Sequence, residues 1–276
     1  MRFCRTVIFL LGEMMKVTIL GARGSVPTDG DNMRVFGGAT SCIMVEADGS
    51  VIFLDAGTGM MRAPDIHPPH ATILLTHPHI DHLIGLPFFP YLYQSGTVID
   101  IYAGTKEGLD ARAQIDSFLS PPRWPCTIDE YPAKAICHTI AAPFEVDNVK
   151  VSFMDSNHPG GSTIFRLDHG GTSLVYATDY EHTDEKDEQL IRFSQDADLL
   201  LYDGQYTEEE ADEKRGFGHS TAQHGVMIME RCNARLLRLI HHHPIHTDAD
   251  LLRMEDMVRD DNISFARQGE IICLQK

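Results

Sequence analysis

The chain has 276 residues, of which 43% are hydrophobic and 23% are charged. This composition is typical of a globular domain and excludes disordered and collagen-like chains. Acidic residues outnumber basic residues by 40 to 23, so the formal net charge is −17, and a surplus of this size disfavours a large nucleic-acid-binding surface because it repels the phosphate backbone.

The chain begins with two arginines and a short apolar run within residues 1–15. The run resembles part of a secretory signal, but Glu13 interrupts it and no small-residue cleavage site follows. We therefore predict an N-terminal extension in residues 1–15 and a single domain in residues 16–276. No stretch approaches the roughly 18–20 apolar residues of a membrane span, so no membrane partner is expected. The scattered cysteines contain no C-x-x-C pair, which favours a reduced, cytoplasmic protein.

Short apolar, β-branched runs bounded by turn-forming residues recur along the chain, and their length predicts buried strands. The predicted strands cover residues 17–20, 42–46, 51–54, 72–75, 98–102, 149–154, 162–167, 173–177, 199–202, 235–240 and 271–274. Apolar residues at three- and four-residue spacing predict helices over residues 106–119, 184–194, 221–231 and 249–259. The acidic stretch 208–213 is typical of a solvated helix start. Strands alternating with helices indicate an α/β sandwich, in which sheets are covered by helices.

The strongest functional pattern follows the predicted strand 72–75. Residues 77–82 read His-Pro-His-Ile-Asp-His, in a chain that contains 15 histidines. Three imidazoles and a carboxylate crowded at a strand end are costly to desolvate unless a cation organises them. Their nitrogen and oxygen donors suit zinc, manganese or iron(II); a solvated polar loop is the alternative. The pair His77 and His79 can bind one ion, and Asp81 with His82 can face a second.

Further candidate ligands stand after other predicted strands. His158 follows strand 149–154, Asp179 follows strand 173–177, and His241 follows strand 235–240. A polar residue at a strand end is often structural, but the repetition of this pattern predicts a shared site. A carboxylate in the position of Asp179 can bridge two ions.

In this order, the H-x-H-x-D-H motif, the later histidine, the aspartate and the final histidine resemble the metallo-β-lactamase superfamily. The glycine-rich segments 21–25, 37–42 and 54–59 fit the same resemblance. The segment Gly-His-Ser-Thr at residues 218–221, preceded by residues 197–203, is similar to the ribonuclease Z-like phosphodiesterase branch. The resemblance implies a metallo-β-lactamase-like αββα sandwich, with two mixed β-sheets flanked by helices.

The resemblance also implies roles for individual residues. It assigns His77, His79 and His158 to a first metal ion and Asp81, His82 and His241 to a second, with Asp179 bridging them. The two divalent ions are expected to be zinc, with manganese or iron(II) as alternatives. His242 is the alternative to His241. Asp55 is expected either to orient a ligand or to stabilise a turn.

The predicted reaction is hydrolysis of a small phosphodiester such as a cyclic nucleotide. Two cations activate a water molecule and neutralise charge on a phosphoryl group. Asp81 is expected to orient that water and accept its proton. His219 is expected to protonate the leaving oxygen, although it could instead cap a helix. The family's tRNA-binding arm lies between the equivalents of His158 and Asp179, where this chain leaves room only for two strands and a turn, so a large structured RNA is not the expected partner.

Other functions remain open from the sequence. A ribonuclease Z-type RNA endonuclease, or a metallohydrolase of a lactone, thioester or β-lactam, would use the same ligands, and a non-enzymatic binding module is a further alternative. The apolar segment 86–93 is either a homodimer surface or part of the core. The segment 106–125, with Arg112, Arg123 and Trp124, is either a base-binding pocket or ordinary surface.

Overall fold

The computed structural model describes residues 14–276, so nearly all of the predicted N-terminal extension lies outside the described residues. The strands are β1 (Met15–Gly21), β2 (Cys42–Ala47), β3 (Ser50–Leu54), β4 (His70–Leu75), β5 (Val98–Ala103), β6 (Lys134–Thr139), β7 (Phe144–Val146), β8 (Val149–Asp155), β9 (Thr163–His169), β10 (Thr172–Ala177), β11 (Leu199–Asp203), β12 (Leu237–Ile240), β13 (Ile263–Phe265) and β14 (Ile271–Leu274).

The α-helices are α1 (Ile80–Leu83), α2 (Ala111–Phe118), α3 (Asp184–Phe193), α4 (Glu208–Glu213), α5 (Ala222–Cys232) and α6 (Asp248–Met257). Short 3-10 helices cover Asp31–Met33, Thr58–Arg62, Leu86–Phe88, Pro90–Tyr93 and Ile128–Glu130. Among the described residues, none of these helices is long and apolar enough to cross a membrane.

The strands form two mixed seven-stranded sheets. The order in the first sheet is β14-β1-β2-β3-β4-β5-β6, and the order in the second is β13-β12-β11-β10-β9-β8-β7. Apolar side chains of both sheets, such as Val17, Ile52, Leu174 and Leu201, pack into one cluster. Helix α2 packs on β5 and β6 of the first sheet, whereas α5 packs on β11 and β12 of the second and α6 on β13. The predicted αββα sandwich is therefore confirmed.

The predicted strands are all present, with bounds shifted by at most a few residues, but β6, β7 and β13 were not predicted. All three lie at sheet edges, and β6 has no fully buried residue. An edge strand buries less of its surface, so it carries a weaker apolar pattern than a central strand.

The predicted helix 106–119 begins too early. Lys106 and Leu109 exchange backbone hydrogen bonds of 3.0 and 2.8 Å in a tight turn, and Glu107 and Gly108 both adopt positive φ. Asp110 then caps α2 by accepting a hydrogen bond from the backbone N–H of Ala113. The turn and the cap together start the helix at Ala111. The acidic segment forms α4 with no buried residue, as predicted for a solvated helix.

The direction of the strands determines where the candidate ligands gather. Strands β3, β4 and β5 are mutually parallel, as are β10, β11 and β12. Strand β8 runs in the same direction as β10, because β9 is antiparallel to both. In each sheet the carboxyl ends of these strands meet at one edge, which is where open α/β sheets commonly bind ligands.

Candidate metal centre

The candidate ligands lie directly after the strands that share this edge. His77 and His79 follow β4, and α1 then carries Asp81 and His82. His158, Asp179 and His241 follow β8, β10 and β12. The seven residues named as ligands from the sequence are therefore brought together from segments far apart in the chain.

Three strand exits in this region are made by residues in the left-handed backbone region. Asp55, Asp179 and His241 have φ values of 61°, 54° and 62°. Such a conformation is uncommon for residues other than glycine and persists only where the surroundings hold it. At Asp179 the backbone N–H donates to Asp203 Oδ2 at 2.9 Å. The left-handed backbone conformation turns the chain sharply at these positions, so that side chains at strand ends face the site.

The ligands form two groups. In the first, the ring centroids of His77, His79 and His158 lie 4.3 to 4.9 Å apart. In the second, Asp81 Oδ2 lies 3.2 Å from His82 Nε2 and 3.1 Å from His241 Nε2. Within each trio, one potential ligand atom per residue lies within 4.8 Å of the others.

Asp179 stands between the two groups and presents one oxygen to each. Its Oδ1 lies 3.8 Å from His77 Nε2 and 3.4 Å from His158 Nε2. Its Oδ2 lies 3.2 Å from His82 Nε2 and 3.4 Å from His241 Nε2. A carboxylate in this position can contribute to both groups at once.

The hydrogen bonds of the imidazoles leave lone pairs directed into the site. His77 Nδ1 donates to Thr76 Oγ1 at 3.0 Å, and His82 Nδ1 donates to Asp55 Oδ2 at 2.7 Å. The Nε2 atoms of His77 and His82 are buried and have no hydrogen-bond partner. Orphaned buried nitrogens are unfavourable on their own. Nitrogen and carboxylate donors arranged in this way fit divalent metal ions.

Burial and charge shift the pKa values of these side chains in two directions. Burial lowers the pKa of His158 to about 4 and moves that of His77 well below its usual range. Burial also opposes the charging of His241, but the carboxylates of Asp179 and Asp81 outweigh it and raise its pKa to about 9. A cation on the same nitrogen competes with the proton, so a metal ion bound at His241 would displace a proton.

Asp55 connects the two sheets beneath the centre. It is fully buried and accepts hydrogen bonds from His82 Nδ1, from the backbone N–H and hydroxyl of Thr76, and from the hydroxyl of Tyr176 at 2.9 Å. Asp55 therefore holds the candidate ligand His82 as well as the chain at Thr76, and its role in orienting a metal ligand stays a prediction. The sequence alone contained no sign of its bond to Tyr176.

His219 lies beside both groups. Its Nδ1 donates to Asp203 Oδ2 at 2.9 Å, and its ring stacks on that of His241 with centroids 4.8 Å apart. The cap of α5 is Thr221, whose hydroxyl accepts from the backbone N–H of His224, so the capping role considered for His219 is wrong. With Nδ1 bound to Asp203, the Nε2 atom of His219 is available to the site.

Several supporting residues were missed from the sequence. The carboxylate of Glu181 accepts hydrogen bonds from the backbone N–H groups of Gly216 and Gly218 at 2.8 to 2.9 Å, and so holds the loop that carries His219. Gln205 Oε1 accepts from His241 Nδ1 at 2.6 Å. The backbone N–H of Ser25 donates to Asp81 Oδ2 at 2.8 Å. The glycine-rich segment around Ser25 is the one sequence signal for these contacts.

His242 faces away from the centre. Its Nε2 donates to the carbonyl of Ala266 at 2.8 Å, and its ring packs against Phe36 and Phe265. His241 is the residue of the pair that the structure brings to Asp81 and His82.

The two segments left open by the sequence have mixed or ordinary surroundings. Most of the apolar segment 86–93 is core, whereas Phe88 and Tyr93 are half-exposed. In the segment 106–125, the charge of Arg112 is engaged by Asp116 and Asp129. Trp124 donates to the hydroxyl of Tyr131 at 3.1 Å. These contacts favour ordinary surface at Arg112 and Trp124, whereas Lys106, Glu107 and Leu109 of the same segment line a small cavity together with His77 and His79.

Comparison with known proteins identifies the family of the chain. The family model described as beta-lactamase superfamily domain matches residues 51–242. The ribonuclease Z of Haloarcula marismortui is 25% identical over 279 aligned residues, which cover 82% of this chain and 86% of that protein.

Two solved structures show the same fold at low identity. The metallo-beta-lactamase fold protein YhfI from Bacillus subtilis has a TM-score of 0.69 at 20% identity, covering 95% of this chain and 99% of its own. A diphosphatase from the PhnP family has a TM-score of 0.68 at 19% identity, and the match covers 94% of this chain and 97% of that protein. The fold and the clustered histidines and aspartates imply divalent metal ions. The chain therefore belongs to the metallo-β-lactamase superfamily, as a hydrolase of that fold whose sequence is similar to ribonuclease Z.

Proposed function

We propose that the protein is a dinuclear metal-dependent phosphodiesterase that hydrolyses a small phosphodiester such as a cyclic nucleotide. The observation that carries this proposal is the position of His219. It lines one cavity of about 280 Å³ together with Asp81, Asp179 and His241. A proton donor beside the candidate metal ligands suits a reaction whose leaving group is an alkoxide.

The ligand set supports two ions. His77, His79 and His158 would hold one, and Asp81, His82 and His241 the other, with Asp179 shared between them. We propose zinc, because imidazole and carboxylate donors suit it, although manganese and iron(II) accept the same donors. When bound, the ions supply Lewis acidity and lower the pKa of water.

The protein's own residues orient the reaction and move its protons. Asp81, which also accepts from Ser25, would orient the attacking water and accept its proton. Asp203 fixes the ring of His219 through Nδ1, so the proton for the leaving oxygen would come from Nε2. Glu181 holds the loop that positions this ring.

Three observations support a small substrate. A cavity of about 280 Å³ is near the lower end of small-molecule sites. The hairpin of β9 and β10 occupies most of the chain between His158 and Asp179. The net charge of −17 opposes the approach of a polyanion.

A second candidate is a ribonuclease Z-type RNA endonuclease. The similarity to the ribonuclease Z of Haloarcula marismortui favours it. Hydrolysis of a lactone, thioester or β-lactam would use the same ligands. Of these three reactions, only the thioester has a leaving group, a thiolate, that does not need a proton donor in the place of His219. The cytoplasmic location and the homodimer stay predictions; the half-exposed Phe88 and Tyr93 are the apolar side chains that support a dimer.

The test is a substrate panel with purified, zinc-loaded protein. It contains 2′,3′- and 3′,5′-cyclic nucleotides, cyclic dinucleotides, a precursor tRNA, a lactone, a thioester and a β-lactam. We expect turnover of a cyclic nucleotide, its loss after chelation and its return with metal. His219→Ala should reduce kcat by about 10²–10⁴-fold without loss of metal, whereas the exposed His67→Ala should leave kcat unchanged. Cleavage of the tRNA alone would establish the second candidate, and turnover only of a carbonyl substrate would reject both.

A further inference from the structure

A second cluster of potential ligands lies between α3 and α5, and it shares no residue with the centre described above. It consists of His182, in the loop before α3, Asp187 in the first turn of α3, and His224 in α5. One ligand atom from each residue lies within 4.8 Å of the other two. Two imidazoles and one carboxylate therefore converge on one place.

The carboxylate is held in a fixed orientation by a buried tyrosine. The hydroxyl of Tyr180, which is fully buried, donates to Asp187 Oδ1 at 2.6 Å. The other oxygen, Oδ2, faces the imidazoles, at 2.9 Å from His224 Nε2 and 3.9 Å from His182 Nδ1. Metal-binding carboxylates commonly have such an outer hydrogen bond, because it fixes the oxygen left for the ion.

The two histidine rings are arranged side by side. They stack with centroids 4.1 Å apart and an interplanar angle of 29°. Among the described residues, neither ring nitrogen of His182 makes a hydrogen bond, although its side chain is placed over His224. A hydrogen bond between His224 and Asp187 alone would brace the two helices without His182. A hydrogen bond that only links α3 to α5 therefore does not account for the position of His182.

We propose that His182, Asp187 and His224 form an additional binding site for a divalent transition-metal ion such as zinc. Two nitrogens and one oxygen match the donors of such ions, and three protein ligands leave coordination positions open. Of the three residues, His182 and His224 line a cavity of about 370 Å³ that is also lined by His219 and Arg215, and the open positions would face this cavity. The ion would therefore join α3 to α5 next to the proposed proton donor.

The test counts the zinc bound per chain. Wild type, His182→Ala, His224→Ala and the control His67→Ala are dialysed to equilibrium against the same free zinc concentration, and bound zinc is measured by mass spectrometry. We expect each cluster variant to bind one ion fewer than wild type, and His67→Ala to bind the same number. Equal zinc binding by wild type and His182→Ala would overturn the proposal. The hydrogen bond between His224 and Asp187 would then serve only to link α3 to α5.

A second measurement separates ligand loss from damage to the fold. The His182 side chain is 55% exposed, so its removal should not disturb packing, and circular dichroism of the variant should match wild type. Saturating zinc should raise the Tm of wild type more than that of His182→Ala; equal increases would count against the site. Because both readouts are differences between variants, they hold whether or not the phosphodiesterase assignment is correct.

Discussion

At the scale of single residues, the buried carboxylate of Asp55 holds the candidate ligand His82 of α1 and the second-sheet residue Tyr176 at once. Asp55→Asn replaces one accepting oxygen with a donor, so His82 loses its charged partner. We expect metal affinity to fall by about 10–100-fold, measured by dialysis against graded chelator. Asp198→Asn is the matched control, because Asp198 is also buried but accepts from Ser173 near the opposite strand ends. Unchanged metal affinity in Asp55→Asn would contradict the orienting role.

Gly218 tests how tightly the site is packed. A Cβ atom at this position would lie 2.2 Å from Cδ2 of His158, and the backbone φ is 89°. Gly218→Ala should push His158 out of the first group and remove bound metal and activity. Gly269→Ala is the control, because Gly269 has the same φ of 89° but nothing within 4 Å.

Both variants carry backbone strain of about 1–3 kcal/mol, which chemical unfolding would measure. Only the Gly218 variant should also lose metal, as counted by mass spectrometry. If both variants retained the same metal content, the close packing of Gly218 against His158 would not be needed for metal binding.

At the scale of secondary structure elements, three parallel strands of the first sheet are joined by a charged contact away from the centre. Asp100 on β5 accepts from His70 on β4 and, at 2.6 Å, from His138 on β6. Burial raises the pKa of Asp100, but these two hydrogen bonds outweigh it, so the pKa is lowered from its ordinary value. A carboxyl group whose pKa is lowered by folding stabilises the folded state at pH values above its unfolded-state pKa of about 3.9. This stabilisation is lost as the pH falls through its folded-state pKa.

The resulting prediction concerns acid stability. Between pH 5 and pH 3, urea unfolding should show a smaller loss of stability in Asp100→Asn than in wild type, since the amide cannot be protonated in this range. Asp65→Asn, at an exposed position, should behave as wild type. Parallel pH profiles for wild type and Asp100→Asn would show that the contact contributes nothing to acid sensitivity.

The same scale explains which elements could be deduced from the sequence. Central strands such as β4 and β11 are continuous apolar runs, because both of their faces are buried. The edge strands β6, β7 and β13 lack such runs and were missed. The start of α2 could not be deduced, because the helical spacing of apolar residues continues through residues 106–109, which form a turn in the structure.

At the scale of the whole molecule, the charge of −17 bears on the choice between a small phosphodiester and RNA. A basic protein that contacts RNA phosphates through 6–10 sites loses about 10³–10⁵ in affinity between 50 and 200 mM salt. For this chain we expect kcat/KM on a small diester to change little over that range, and RNA affinity to be weak throughout. Filter binding of a precursor tRNA at both salt concentrations checks this. A steep loss of RNA affinity with salt would favour the endonuclease.

An α/β sandwich and the candidate ligands could be deduced from local signals in the sequence, whereas the αββα arrangement of two sheets was implied by the family resemblance. A strand's apolar run lies within a few residues, and the motif at residues 77–82 is contiguous. The ligand order along the chain and the Gly-His-Ser-Thr segment then indicated the family, which the match over residues 51–242 confirms.

Only the tertiary structure decided how those residues meet. His241 rather than His242 reaches Asp81, across 160 positions of the chain, and Tyr176 reaches Asp55 across 121. The division of Asp179 between two groups and the convergence of His182 with His224 likewise depend on the packing of separate elements. Sequence patterns report local periodicity, whereas these contacts arise from the meeting of two sheets, so the chemistry of the site depends on distances that no local pattern contains.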